Sequence, residues 1–125
     1  MDKALKALAS ASLLLNAGDT DGATNRAYYA MFDAALAALC WAGNDVEKNP
    51  PKTHSGLIAS FGQSLVGTGK LPAEFGRALN RVQELRLTAD YLAGPVPLEK
   101  AQWAIGEAGR FIAAISELLL EPKRR

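Results

Sequence analysis

The chain has 125 residues, of which 49% are apolar and 22% charged, with a net charge of +1. That length can bury one hydrophobic core without staples, and the near-neutral balance supplies no bulk field for nucleic acid or an anionic membrane. The lone cysteine, Cys40, excludes an internal disulfide and suits a reducing cytoplasm.

Apolar residues recur with a period near 3.6 in nearly every segment, and none alternates with a period of about 2. The first helix is expected over Asp2–Asn16, with Leu5, Leu8, Ser12 and Leu15 inward. Its start has neither the unbroken apolar run nor the cleavage pattern of a signal peptide. Gly18-Asp19-Thr20 interrupts it, and Asp19 or Thr20 can cap the next helix. That second helix, Asp21–Ala42, carries a wide apolar face of Tyr28, Met31, Phe32, Ala35, Leu36 and Leu39 among many alanines. Such a helix suits the middle of a bundle, where small residues let neighbours approach. Cys40 lies in the apolar run Leu39-Cys40-Trp41 and reads as a buried small hydrophobe. Asp33 interrupts the most hydrophobic stretch, which is too short to span a membrane.

Gly43–Lys52, with two prolines, is the clearest loop. Thr53 can cap a third helix with Leu57, Ile58, Phe61 and Leu65 inward, ended by Gly67-Thr68-Gly69. Pro72 fits the first turn of a fourth helix reaching Tyr91, and Ala93–Pro97 breaks the chain before a fifth, Leu98–Leu120. The fifth is expected to bury Ala101, Ile105, Ala108, Ile112, Ile115 and Leu119. Short connections between five helices give an all-α, up-and-down antiparallel bundle, read as a single domain over residues 1–125. The basic tail, Lys123-Arg124-Arg125, is too short to establish RNA binding.

Within "ELRLTADY" (Glu84–Tyr91) an arginine falls where a core residue should be. At about 100° per residue, Phe75, Ala78, Leu79, Val82, Leu85 and Ala89 share one side, and Arg86 lands among them. Arg77, Arg81, Glu84 and Thr88 take the solvated sides. An unpaired buried guanidinium costs several kcal/mol, so two readings stand. Asp90, four residues on, pairs with Arg86, or Arg86 opens onto a groove or dimer cleft and meets phosphate or a partner.

Four stretches together resemble the HEPN family (higher eukaryotes and prokaryotes nucleotide-binding domain): "NRAYYAMFDAALAAL", "KTHSGLIASF", "LPAEFGRALNRVQELRLTADY" and "EKAQWAIGEAGRFIAAI". They cover almost the whole chain, and the resemblance is to the small prokaryotic branch encoded beside minimal nucleotidyltransferases. It implies a HEPN-like bundle, usually a homodimer. Many members are metal-independent ribonucleases that act as toxins through an Arg-x4-6-His motif in the dimer cleft. There the arginine stabilises phosphate charge and the histidine assists proton transfer. Nucleotidyltransferase partners neutralise some of them by adding adenylate to a tyrosine near the motif.

Arg86 matches that arginine, but Tyr91 stands five residues on and the motif's histidine is missing. A phenol titrating near 10 is a poor substitute for imidazole. The only histidine, His54, opens the third helix. Two functional readings follow. The first is the HEPN component of a two-gene, toxin–antitoxin-like module, binding a nucleotidyltransferase, and a nucleotide or RNA, with Tyr91 as acceptor. The second is a ribonuclease using Arg86 with Tyr91, or with His54 recruited across a dimer.

The start of the third helix offers a further candidate. Its free N–H groups, with Lys52, Thr53, His54 and Ser55, form an anion-binding candidate, and Gly56 leaves room for a ligand; the alternative is a capped helix start. Tyr28 reads as core. Tyr29 lies on the polar flank beside Asn25 and Asp33, placed to hydrogen-bond Arg86 or Arg26. Trp103, opposite the inward stripe of the last helix and near Gly106 and Arg110, suggests a subunit interface. One His, one Cys and no carboxylate cluster leave no recognisable metal site, and no cofactor motif is present.

Overall fold

The computed structural model describes residues 1–91 and 93–122; the basic tail, 123–125, lies outside them. Five α-helices follow one another as α1 (Asp2–Asn16), α2 (Thr20–Trp41), α3 (His54–Phe61), α4 (Ala73–Ala89) and α5 (Leu98–Leu118), and no strand occurs among the described residues. They form the expected antiparallel bundle. A π-helical turn, Gly62–Val66, prolongs α3.

Local chemistry sets the helix ends. The Asp19 carboxylate accepts from the Gly22 N–H at 2.8 Å and caps α2, which starts at Thr20, one residue before the expected Asp21. Gly18, at φ +85°, turns the chain between α1 and α2 in a conformation that L side chains disfavour. Pro72 is the residue before α4 and not within its first turn. The linker before α5 is pinned by the Val96 N–H, which donates to Asp21 Oδ1 at 2.8 Å.

α2 is the central helix and packs on α1, α4 and α5. Tyr28, Met31, Ala35 and Leu39 are buried as expected, while Phe32 and Leu36 are half-buried. Phe61 and Phe111 pack with ring centres 5.2 Å apart and join α3 to α5. Burying each such side chain contributes about 1.5–3 kcal/mol.

Three expectations of the apolar pattern are corrected. α1 turns inward Ala4, Ala7 and Ala11, whereas Leu5 and Ser12 are exposed and Leu8 and Leu15 half-buried. The buried residues of α2, on which α1 packs, include six alanines, so close helix approach outweighs leucine burial. On α5 the expected Ala101, Ala108, Ile112 and Ile115 are buried, but Ile105 and Leu119 are only partly covered, and Ala104, Phe111 and Leu118 are buried beside them. Cys40 is exposed, because the buried face of α2 takes Leu39 and Trp41 and leaves the residue between them outside.

Candidate functional site

Three elements converge on one aromatic cluster. α2 places Tyr28, Tyr29 and Phe32 on adjoining positions of one face, with Tyr28 fully buried. The start of α3 delivers His54, fixed by the Thr53 hydroxyl, which accepts the Gly56 N–H at 2.8 Å. α4 supplies Arg86 and, one turn earlier, Gln83.

The Tyr28 hydroxyl and His54 Nδ1 are 2.8 Å apart. The imidazole also packs edge-on against Tyr28 and Tyr29, with centroids 5.4 and 5.9 Å away, and against Phe32 at 5.4 Å. Above the same rings lies the Arg86 guanidinium, 5.0 Å from the centre of Tyr28 and 5.6 Å from that of Tyr29. Arg86 Nε donates to Gln83 Oε1 at 2.9 Å. Arg86 is therefore held by a side-chain amide and two π faces. Asp90 makes no ion pair with it among the described residues, so the local pair expected from sequence does not form. Arg86 also lines a groove of about 260 Å³ with Asp21, Asn25 and Asp90.

Protonation follows from this geometry. Burial pushes the Tyr28 phenol up to about 12, opposed by the Arg86 charge and reinforced by Tyr29. Burial, and then Arg86, hold His54 below its ordinary 6.5. At neutral pH both rings are uncharged, so Tyr28 O–H donates and Nδ1 accepts. The imidazole hydrogen then resides on Nε2. In this state His54 can donate from Nε2, and Arg86 supplies the permanent positive charge. Such a pair suits phosphate oxygens better than it suits proton abstraction.

Sequence reasoning named His54, Arg86 and Tyr29 separately; the fold unites them within one protomer, on three helices. Tyr29 meets both Arg86 and Arg26, as expected, but by stacking: the Arg26 guanidinium is 5.5 Å from its ring centre. Tyr28, read only as core, is the residue that links His54 to Arg86. Gln83 was overlooked. Its signal was available, because it lies three positions before Arg86 on the buried side of α4.

The other candidates are not members of the aromatic cluster itself. Lys52, Thr53 and Ser55 are exposed at the start of α3. Thr53 already occupies one N–H there, and a Cβ at Gly56 would stand 3.1 Å from Thr53 Oγ1, so that glycine makes room for the cap. Asp90 is exposed where α4 ends, and Tyr91 beside it is 88% exposed. Trp103 is 37% exposed. With Arg77, Arg81 and Arg110 it lines a groove of about 320 Å³ between α4 and α5, where Arg110 pairs with Glu107 at 2.8 Å. Among the described residues no group of three metal-ligating side chains gathers, and no helix is long and apolar enough to cross a membrane.

Comparison with known proteins accords with this architecture. The family model described as HEPN domain matches residues 1–118. A UPF0332 protein of Gloeobacter violaceus is 34% identical over 97% of this chain and 94% of its own length. A UPF0332 protein of Thermotoga maritima is 37% identical over 98% of this chain and 89% of its own. A Methanocaldococcus jannaschii protein named "Putative toxin MJ0605" is 37% identical over 79% of this chain and 70% of its own length.

Proposed function

Because the chain belongs to the HEPN domain family, we propose that it is the toxin-like component of a two-gene module whose other member is a minimal nucleotidyltransferase, with Tyr91 as the residue that partner modifies. The carrying observation is the separation of Arg86 from Tyr91. Arg86 is engaged with Gln83, Tyr28 and Tyr29, whereas Tyr91 projects 88% exposed just beyond α4. An exposed phenol can reach the active site of another protein without unfolding its own helix. Its oxygen would attack the α-phosphorus of a nucleoside triphosphate, releasing pyrophosphate and a proton. The likeness to a relative named as a toxin supports the toxin-like reading.

Homodimerisation belongs to this proposal, with Trp103 and Arg110 as the candidate contact, since an exposed indole beside guanidinium groups is a common interface anchor. The test is co-expression with the adjacent gene product, followed by intact-mass measurement. A gain of one nucleotide that disappears in Tyr91→Phe is expected. An unmodified Tyr91 with a partner active on other substrates refutes the reading.

A second reading has its own support. His54 and Arg86 both contact Tyr28, which supports a reading in which the histidine missing from the usual spacing would come from α3 of the same chain. In a ribonuclease built this way, Arg86 would hold the scissile phosphate and His54 Nε2 would donate toward it. Purified protein would cleave RNA, and folded Arg86→Ala and His54→Ala would not. Absence of cleavage by the parent protein removes this reading and leaves the first.

A further inference from the structure

Beside the aromatic cluster, α1 and α2 form a second groove of about 370 Å³, lined by Lys3, Lys6, Ser10, Arg26, Tyr29 and Asp33. Three of these side chains are cationic and one is acidic, on a chain whose net charge is only +1. The concentration is therefore local. Lys3 and Lys6 are exposed, and neither they nor Arg26 form a close ion pair among the described residues. The single carboxylate, Asp33, has its pKa raised by burial, against the pull of Lys3 and Arg26. It offsets only part of the positive charge.

Tyr29 joins this groove to Arg86. The Arg26 and Arg86 guanidinium carbons lie 5.5 and 5.6 Å from the centre of its ring, so they are separated by at most about twice that distance. Lys3, Lys6 and Arg26 thus line one groove of α1 and α2, and Arg86 of α4 meets it at the Tyr29 ring. A single compact anion could engage one or two of them. A ligand with successive phosphates could engage them all.

We propose that this α1–α2 groove is a phosphate-chain binding site that leads to Arg86, taking a single-stranded oligonucleotide, with a free nucleoside triphosphate as the other source of the same chemistry. It rests on the reading of Arg86 as phosphate-facing and adds residues of α1 that no motif marks. Cations contributed by three helices beside the half-buried Tyr29 ring favour a phosphodiester strand over one compact anion, with affinity drawn from released counterions.

The experiment measures binding of a fluorescent twelve-nucleotide RNA, by anisotropy across a salt series, to the full chain and to Lys3→Ala/Lys6→Ala. Both lysines are exposed, and circular dichroism checks that the variant stays folded. The double variant should bind at least about tenfold more weakly, and its log–log salt slope should be shallower by about 1.4, at roughly 0.7 per lost phosphate contact. ATP and tripolyphosphate serve as competitors. Strong displacement by ATP assigns the free nucleotide, and weak displacement assigns the strand; with lysine dependence, either supports the site. Unchanged affinity and slope in the double variant overturn it. Equal displacement by poly-glutamate also overturns it, since the groove would then be a surface for acidic protein. Lysine-dependent binding without RNA cleavage sinks the ribonuclease reading alone, whereas lysine-independent binding with cleavage intact sinks this proposal alone.

Discussion

Replacing Tyr28 by phenylalanine removes one oxygen and leaves the ring. In the folded protein that oxygen donates to His54 Nδ1 at 2.8 Å, and Tyr28 is 0% exposed. The lost hydrogen bond costs about 1 kcal/mol net, and His54 is only half-buried, so water can reach the freed nitrogen. Ring packing against Arg86, Tyr29 and Phe32 is kept, which limits the loss. About 1 kcal/mol corresponds to a fall of roughly 4 °C in Tm for a domain of this size. A second effect has a definite sign. The Tyr28 hydrogen bond stabilises neutral imidazole, so its removal should raise the His54 pKa. His54 is the only histidine in the chain, so its C2–H resonance can be followed by NMR without assignment. A Tm fall of a few degrees with a raised His54 pKa is the expected result. An unchanged or lowered His54 pKa would refute the donor assignment, and no loss of stability would refute the bond itself.

Arg86→Ala removes the cation above two tyrosines and the partner of Gln83, and should destabilise by about 1–2 kcal/mol in a thermal melt. It should also raise the His54 pKa, since the Arg86 charge lowers it, and NMR titration reads this directly. Folding stability should depend on pH through the same histidine. Its folded pKa lies below its ordinary 6.5, so the unfolded chain binds the proton first; stability is full above that value and declines as pH falls through the folded pKa, in urea melts at stepped pH. That decline should be smaller in His54→Gln. Thr53→Ala should cost about 1 kcal/mol by freeing the Gly56 N–H at the start of α3, measured by denaturant midpoint. Ala11→Leu should cost about 1–3 kcal/mol, because Ala11 is 0% exposed in the seam between α1 and α2.

Much of this architecture could be read from the sequence because its signals are local. Asp19 and Thr53 announce their helices by capping chemistry, and the loop between α2 and α3 is marked by its prolines. Which face turns inward was less legible on α1, and on α5 only the edges of the stripe were misplaced. Apolar periodicity weights leucine above alanine, yet α1 is pressed against a helix that presents alanine, and the shorter methyls settle the rotation. Of the candidate site, Arg86 was visible as a charge among apolar neighbours. Its partners were not, because Asp90 is close in sequence while Tyr28 and His54 are close only in space. Two aromatic faces and an amide satisfy a guanidinium without any opposite charge, and no spacing rule on one helix encodes that arrangement.

The alanine seam also governs how α1 comes away from the bundle. Ala4, Ala7 and Ala11, the buried residues of α1, present only methyl groups, with Leu8 packed partly against the core beside them. Separation by the width of a water molecule abolishes all of these contacts together. α1 should consequently detach as one unit about the turn at Gly18, whose φ of +85° already reverses the chain there. Its amides would then exchange with solvent at a common rate, set by a single opening and distinct from the rate of the core around Phe61 and Phe111.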